Sequence, residues 1–309
     1  MSWDPHNLPD QTGRTHVVTG ATAGIGYFAA EQLADAGAHV VLASRSAAKL
    51  DRARDSIRRQ VPGAEVTVVE LDLASLDSVR SAASALSRLG RIDGLFLNGG
   101  AMETAVGRLT ADGLPIMLGT HAVANVALVE QLLPVIDGRI VHASTGFVRR
   151  LRLDVDDVLT PQRGFFRAYT QAKTVTELYA YELDRRLRSD GHPAASLVAH
   201  PGVGVDAKTP AREAVYDPRT QRRRNPFTPW AQGKDAAAWS AVRAVTDPGA
   251  RGGEYYGPAN GRRGLPTRLA PLAHTAQPEP DRVARVWTQL EELAVGKAMP
   301  TQNRIPTIQ

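Results

Sequence analysis

Short runs of β-branched and aliphatic residues alternate with amphipathic stretches along the first two thirds of the chain. Residues 15–19 (THVVT), 39–43 (HVVLA), 65–70 (EVTVVE), 92–97 (IDGLFL), 139–143 (RIVHA) and 195–199 (ASLVA) read as strands. Between them, apolar positions recur at helical spacing from a glycine-rich turn to about residue 36, then over 47–60, 76–89, 113–133 and 166–188. Parallel strands need a crossover, and a helix supplies it. The alternation therefore predicts an α/β fold, a doubly wound parallel sheet of about seven strands with helices on both faces.

The pattern weakens after His200. Residues 206–232 combine prolines with a basic run at 222–224, the composition of a substrate lid rather than of a core element. Helical spacing resumes over 234–245, a short strand fits 253–256, and 280–294 reads as a last helix within a C-terminal helix and tail, 278–309. No internal repeat and no linker separates two cores, so residues 1–309 are expected to form one domain.

Composition narrows the functional classes. The 309 residues are 43% hydrophobic and 22% charged and include no cysteine, which excludes disulfides, thiolate chemistry and cysteine-based metal sites. The eight histidines form no HxxxH or HxH pair, so no metal site is predicted. The net charge of +5 is carried mostly by scattered arginines without interleaved aromatics, a pattern that favours an anionic small ligand over nucleic acid. No apolar run approaching the roughly 20 residues of a bilayer span stands out, and residues 1–13 lack the basic and apolar regions of a leader. A cytoplasmic protein is the expectation.

The first strand runs into Gly20-Ala21-Thr22-Ala23-Gly24-Ile25-Gly26, where a helix opens at once. Glycines let backbone N–H groups approach a pyrophosphate, and the helix N-terminus adds about half a positive charge there. Strand, glycine turn and helix together predict a Rossmann-type dinucleotide site. No acid occurs between His39 and Leu50, and the second strand ends in Ser44-Arg45-Ser46 with Lys49 nearby. An arginine there accommodates a ribose 2′-phosphate, which favours NADP(H) over NAD(H).

Hydride transfer to a carbonyl also needs a proton donor. A tyrosine with its free pKa near 10 is a poor one at neutral pH, and a lysine one helical turn away can lower that value. Tyr169 and Lys173 have this spacing, on the helix after the fifth strand, where strand ends converge on the ligand crevice.

These motifs resemble the short-chain dehydrogenase/reductase family over most of the chain. Thr19–Gly26 looks like its cofactor loop, Asp72-Leu73 its adenine-side segment, Asn98-Gly99-Gly100 its Asn-Asn-Ala-Gly motif with changes, Tyr169 and Lys173 its YxxxK pair, and Pro201-Gly202 its Pro-Gly after strand six. The Leu-Ala-Ser-Arg at 42–45, the long insert before Tyr169 and Glu254–Pro258 resemble the retinol-dehydrogenase and protochlorophyllide-reductase-like branch, which generally uses NADP(H). The resemblance implies hydride exchange between nicotinamide and a small-molecule carbonyl or alcohol, and a lid carrying Val, Pro, Phe and Trp is compatible with a largely apolar one. It puts the hydroxyl donor on Thr145, with Ser144 beside it, and the family's active-site Asn, which holds a water linking the lysine to solvent, on His121, with Asn125 one turn on. His121 either relays protons or merely faces the crevice. Where the family has a threonine after the Pro-Gly, Val205-Asp206 stands here; Asp206 either repels a carboxamide oxygen or accepts from its NH₂, and Thr209 is the nearest hydroxyl. Lys173 would also hold the nicotinamide ribose, and the helices bearing Tyr169 and His121 are the family's usual homodimer face, which a long preceding insert can block.

Two other readings compete. His142–Gly146 is similar to a hydrolase nucleophile elbow but lacks its leading glycine, and a loop rather than a helix is expected to follow. Arg149, Arg150 and Arg152 on that loop, like 222–224, suit a solvated surface more than an acidic substrate. The changed Asn and Ser positions also admit a non-catalytic NADP(H)-binding regulatory or scaffolding protein of the same fold.

Overall fold

Val17 and Val18 of strand β1 (Thr15–Thr19) are both fully buried, and each belongs to a different core. Successive strand side chains point to opposite faces, so a doubly apolar strand requires cover on both sides. On one face Val17 meets helices α3 (Leu76–Ser87), α5 (Ala124–Leu132), α7 (Phe165–Ser189) and α10 (Pro280–Ala294). On the other, Val18 meets α1 (Gly24–Asp35), α2 (Ala47–Gln60) and α8 (Lys234–Thr246). Leu95 and Phe96 of β4 (Ile92–Leu97) divide in the same way.

The computed structural model describes residues 3–102, 107–153, 155–160, 162–215 and 228–296. Its sheet has the order β3 (Val66–Glu70), β2 (His39–Ser44), β1, β4, β5 (Ile136–Ala143), β6 (Ala195–Ala199), β7 (Tyr255–Pro258) and β8 (Pro266–Leu269). All neighbours from β3 to β7 pair in parallel, and β8 alone runs antiparallel, against β7. The order reverses between β1 and β4, where an open α/β sheet leaves a crevice outside its carboxyl ends.

The doubly wound sheet is as expected, with one strand more. β8 escaped notice because it is four residues long and starts with a proline, which only an edge strand tolerates. The helix expected over 113–133 starts at Pro115, which cannot sit inside it, and is not uniform. It runs as α4 (Ile116–Leu118), one π turn (Gly119–Val123) and α5. Contrary to the sequence reading, Ile116–Val135 is long and apolar enough, by length and composition, to cross a bilayer; 83% of that stretch is buried inside the fold. A helix apolar all round is one covered all round, and α5 lies between α3 and α10. The loop expected after β5 contains a short helix, α6 (Gly146–Arg150), and a last short helix, α9 (Ala273–Ala276), precedes α10. Of the lid segment, only 206–215 and 228–232 fall within the described residues; the basic run 222–224 and the tail 297–309 lie outside them.

Leu290 of α10 is fully buried in the core that α5 and α7 share. Leu290→Ala should cost about 2–5 kcal/mol in urea unfolding. A loss under about 0.5 kcal/mol would mean that α10 does not complete this core.

Candidate active site

The glycine turn is built by contact with the next strand over. Gly20 has φ +67° and a Cβ there would lie 2.8 Å from Gly99 Cα, so neither the conformation nor the space admits a side chain. A Cβ on Gly26 would lie 2.6 Å from both Asn98 Nδ2 and the Gly20 carbonyl oxygen. Asn98 Nδ2 donates to the Thr19 carbonyl at 3.1 Å, and Gly99 N–H donates to Thr19 Oγ1 at 2.9 Å. Asn98 thus works as a clamp that ties the β4 end to the turn. Thr22, Gly24 and Ile25 are half-buried above it and Ala23 is exposed. No side chain caps the N-terminus of α1, and its first turn holds no acid. Its orphan N–H groups are therefore open to an anion.

A cleft of about 310 Å³ opens at these strand ends and is lined by Gly20, Ser44, Arg45, Asp72, Leu73, Gly99 and Gly100, together with Met102. Seven of the sequence-predicted cofactor residues thus share one cleft. The turn residues 22–26, the Tyr169–Lys173 pair and Pro201-Gly202 are not in its walls. Pro201 accepts a hydrogen bond from Gln232 Nε2 at 2.9 Å, which fixes the Pro-Gly segment beside the start of α8. A glycine cradle with no room for Cβ atoms, an uncapped helix end and a cleft running to Arg45 fit an extended dinucleotide.

Tyr169 and Lys173 stand one turn apart on α7, with Lys173 Nζ 6.0 Å from the centre of the tyrosine ring. Nζ donates to the Ala143 carbonyl at 2.6 Å. Burial pushes the Tyr169 hydroxyl up to about 12, an effect the neighbouring Thr145 side chain slightly offsets. Burial brings Lys173 down to about 7, so it carries only part of its charge near neutral pH.

The two candidate hydroxyls separate. Thr145 caps α6 and meets Tyr169, whereas Ser144 is buried and donates to Glu177 Oε1. The segment after Ser144 is a short helix rather than the expected loop, and Arg149 and Arg150 are exposed on it. A hydrolase elbow stays unsupported for a different reason: Ser144 faces a carboxylate, not an imidazole.

His121 lies in the π turn, a distortion often found at functional sites. Its ring is edge-on to Tyr169, with centroids 5.3 Å apart, and packs so closely on Gly100 that a Cβ there would lie 2.0 Å from the imidazole. Nε2 is 3.0 Å from the Ala101 carbonyl and Nδ1 is buried without a partner. Burial, then Lys173, hold the ring well below its ordinary pKa, so it is neutral. The His121 carbonyl accepts from Asn125 Nδ2 at 2.8 Å and from Thr176 Oγ1 at 3.0 Å.

The sequence reading missed the buried carboxylate beneath this centre. Glu177 accepts from Ser144 Oγ and, at 2.8 Å, from Thr275 Oγ1, and burial pushes it up to about 7. Its position, four residues after Lys173 and eight after Tyr169, was a signal available in the sequence.

The chain belongs to the short-chain dehydrogenase/reductase family, a family of oxidoreductases that use a nicotinamide dinucleotide: residues 14–148 match the short chain dehydrogenase family description. It shares 34% identity over 258 residues with polyprenol dehydrogenase from Mus musculus, covering 79% of this chain and 75% of that one. Retinol dehydrogenase 13 from Homo sapiens is 34% identical over 198 residues, 62% of this chain and 59% of that one. These relatives place the chain in the retinol-dehydrogenase-like branch. Among solved structures, an uncharacterised protein from Mycobacterium paratuberculosis superposes with a TM-score of 0.76 at 28% identity, covering 97% of this chain and all (100%) of that one. L-sorbose reductase from Gluconobacter frateurii, solved with NADPH and L-sorbose, shares the fold at a TM-score of 0.63 and 19% identity, covering 84% of this chain and 98% of that one.

Glu177 has a folded pKa of about 7 against 4.5 for the free group, so its burial favours folding at low pH and that contribution is lost as pH rises between those values. Thermal melts should show the wild type losing stability relative to Glu177→Gln across this window. Parallel pH profiles for the two proteins would contradict the shift.

Proposed function

We propose that this chain exchanges a hydride between NADP(H) and a small, largely apolar carbonyl or alcohol, with Tyr169 as the proton donor. The observation that carries the proposal is the Tyr169 hydroxyl set beside the Thr145 side chain, with Lys173 one turn along α7. When bound, the nicotinamide supplies or accepts the hydride. Tyr169 stays protonated at neutral pH, so it can donate to a carbonyl oxygen as negative charge develops there, and Thr145 adds a second hydrogen bond. Lys173, bound to the Ala143 carbonyl and titrating near neutrality, can return a proton to Tyr169.

Choice of NADP(H) rests on Arg45. It is exposed in the cleft at the end of β2, no acid lies between His39 and Leu50, and no carboxylate among the described residues pairs with it. The Ser44 and Thr22 hydroxyls, 3.4 Å apart, add polar partners beside it. An apolar substrate is favoured by the aromatic wall next to the tyrosine. Phe165 stacks on Tyr169 at 6.0 Å, Phe166 leans on Phe147 at 5.4 Å and is 58% exposed, and Met102 in the cleft is 63% exposed. Exposed apolar side chains beside the tyrosine and in the neighbouring cleft suit an apolar ligand.

Titration with NADPH and with NADH, followed by nicotinamide fluorescence and thermal stability, tests the cofactor assignment. NADPH should bind more tightly, and Arg45→Ala should weaken NADPH by about 10- to 100-fold while leaving NADH nearly unchanged. Equal losses for both would remove Arg45 from this role. Tyr169→Phe should lower turnover of a carbonyl substrate by about 10²-fold or more with NADPH affinity within twofold of wild type. Unaltered turnover would sink the assignment of Tyr169, and cofactor binding without any turnover in the wild type would favour a regulatory protein.

A further inference from the structure

The loop after the Pro-Gly is not free to address the nicotinamide end alone, because it is built into the start of α8. Val205 N–H donates to the Gln232 carbonyl and Gln232 N–H to the Val203 carbonyl, both at 2.9 Å, in a parallel bridge between the two segments. Thr209 Oγ1 accepts from the backbone N–H of Lys234 at 2.9 Å and donates to the Val205 carbonyl at 2.8 Å. These bonds carry Lys234, the first residue of α8, over the glycine turn. A Cβ on Gly24, the first residue of α1, would lie 3.6 Å from Lys234 Cδ and 4.0 Å from Nζ. The ammonium pairs with the Asp206 carboxylate, and both side chains keep about a quarter of their surface, 27% and 21%.

A cation held against the uncapped, partly positive end of a helix is unfavourable unless an anion joins it. Asp206 supplies one negative charge from the side, and the N–H groups of α1 remain open. On the dinucleotide reading above, a pyrophosphate on the glycine cradle would sit at these open N–H groups, beside Lys234. Asp206, standing where the family has a threonine, pairs with Lys234.

We propose that Lys234 binds the pyrophosphate of the dinucleotide, and that Asp206 holds it in place and competes with the phosphates for it. The proposal rests on the dinucleotide site described above. Lys234 adds a point charge to a cradle made otherwise of backbone, and Asp206 tempers it so that affinity is not maximal. Both NADPH and NADH carry the pyrophosphate, so this contact acts on the two alike, unlike Arg45.

The test is titration of NADPH and NADH into wild type, Lys234→Met, Lys234→Arg and Asp206→Asn, read by nicotinamide fluorescence, with melting in buffer alone to check folding. Lys234→Met should weaken both dinucleotides by a similar factor, roughly tenfold, and flatten the salt dependence of binding. Lys234→Arg should restore most of the affinity. Asp206→Asn should tighten both dinucleotides by a few fold, the opposite direction. Binding within twofold of wild type in a folded Lys234→Met, a loss confined to NADPH, or Asp206→Asn weakening binding as much as Lys234→Met would each overturn the proposal, the last by making the pair structural. Wild type that binds neither dinucleotide would overturn the cofactor reading and this proposal together, a result distinct from a wild type that binds and a Lys234→Met that binds equally well.

Discussion

The close approach of the β1 and β4 carboxyl ends governs what this fold can hold. Gly20 and Gly99 touch backbone to backbone, Thr19 Oγ1 accepts from Gly99 N–H, and Asn98 reaches under the turn to the Thr19 carbonyl. The strand order reverses at this seam, so the helices that follow β1 and β4 leave on opposite faces and cannot close over it. The sheet's two cores, one on each face, keep the seam rigid, because Val17 and Leu95 anchor one side while Val18 and Phe96 anchor the other. A rigid seam with open N–H groups above it is an anion site that needs no rearrangement.

Burial sets the chemistry a few ångströms away. Tyr169, Lys173 and Glu177 succeed one another along one face of α7, and each is moved toward its neutral form: the tyrosine up to about 12, the lysine down to about 7 and the carboxyl up to about 7. Desolvation disfavours charge whatever its sign. The result is a cluster of titratable groups with little fixed charge near neutral pH. Polar backbone and hydroxyl partners, the Ala143 carbonyl, Thr145, Ser144 and Thr275, take the place that ion pairs would fill at the surface.

Much of this was legible in the residues. The strand runs, the glycine turn and the Tyr169–Lys173 spacing are local patterns, and local patterns survive folding unchanged. What could not be read was whatever depends on a distant partner. That Ser144 is taken up by Glu177, 33 residues on, leaving Thr145 beside the tyrosine, is one such case. The residues left the role of Asp206 toward a carboxamide open and gave no sign of its ion pair with Lys234, the first residue of a separate helix. The π turn at His121 inserts a residue into a helix whose apolar pattern gives no sign of it, and β8 is too short and too polar to announce itself.

The antiparallel strand β8 bears on more than the count of strands. It lies outermost, beside β7, where an unpaired edge would offer a ladder of N–H and C=O groups to any other chain. Four residues long, with Pro258 paired to Pro266 at one end and an outward arginine, Arg268, held by Glu254, it leaves little for a foreign strand to zip onto. Growth of the sheet through that margin, whether orderly or as an aggregate, would first have to peel β8 away.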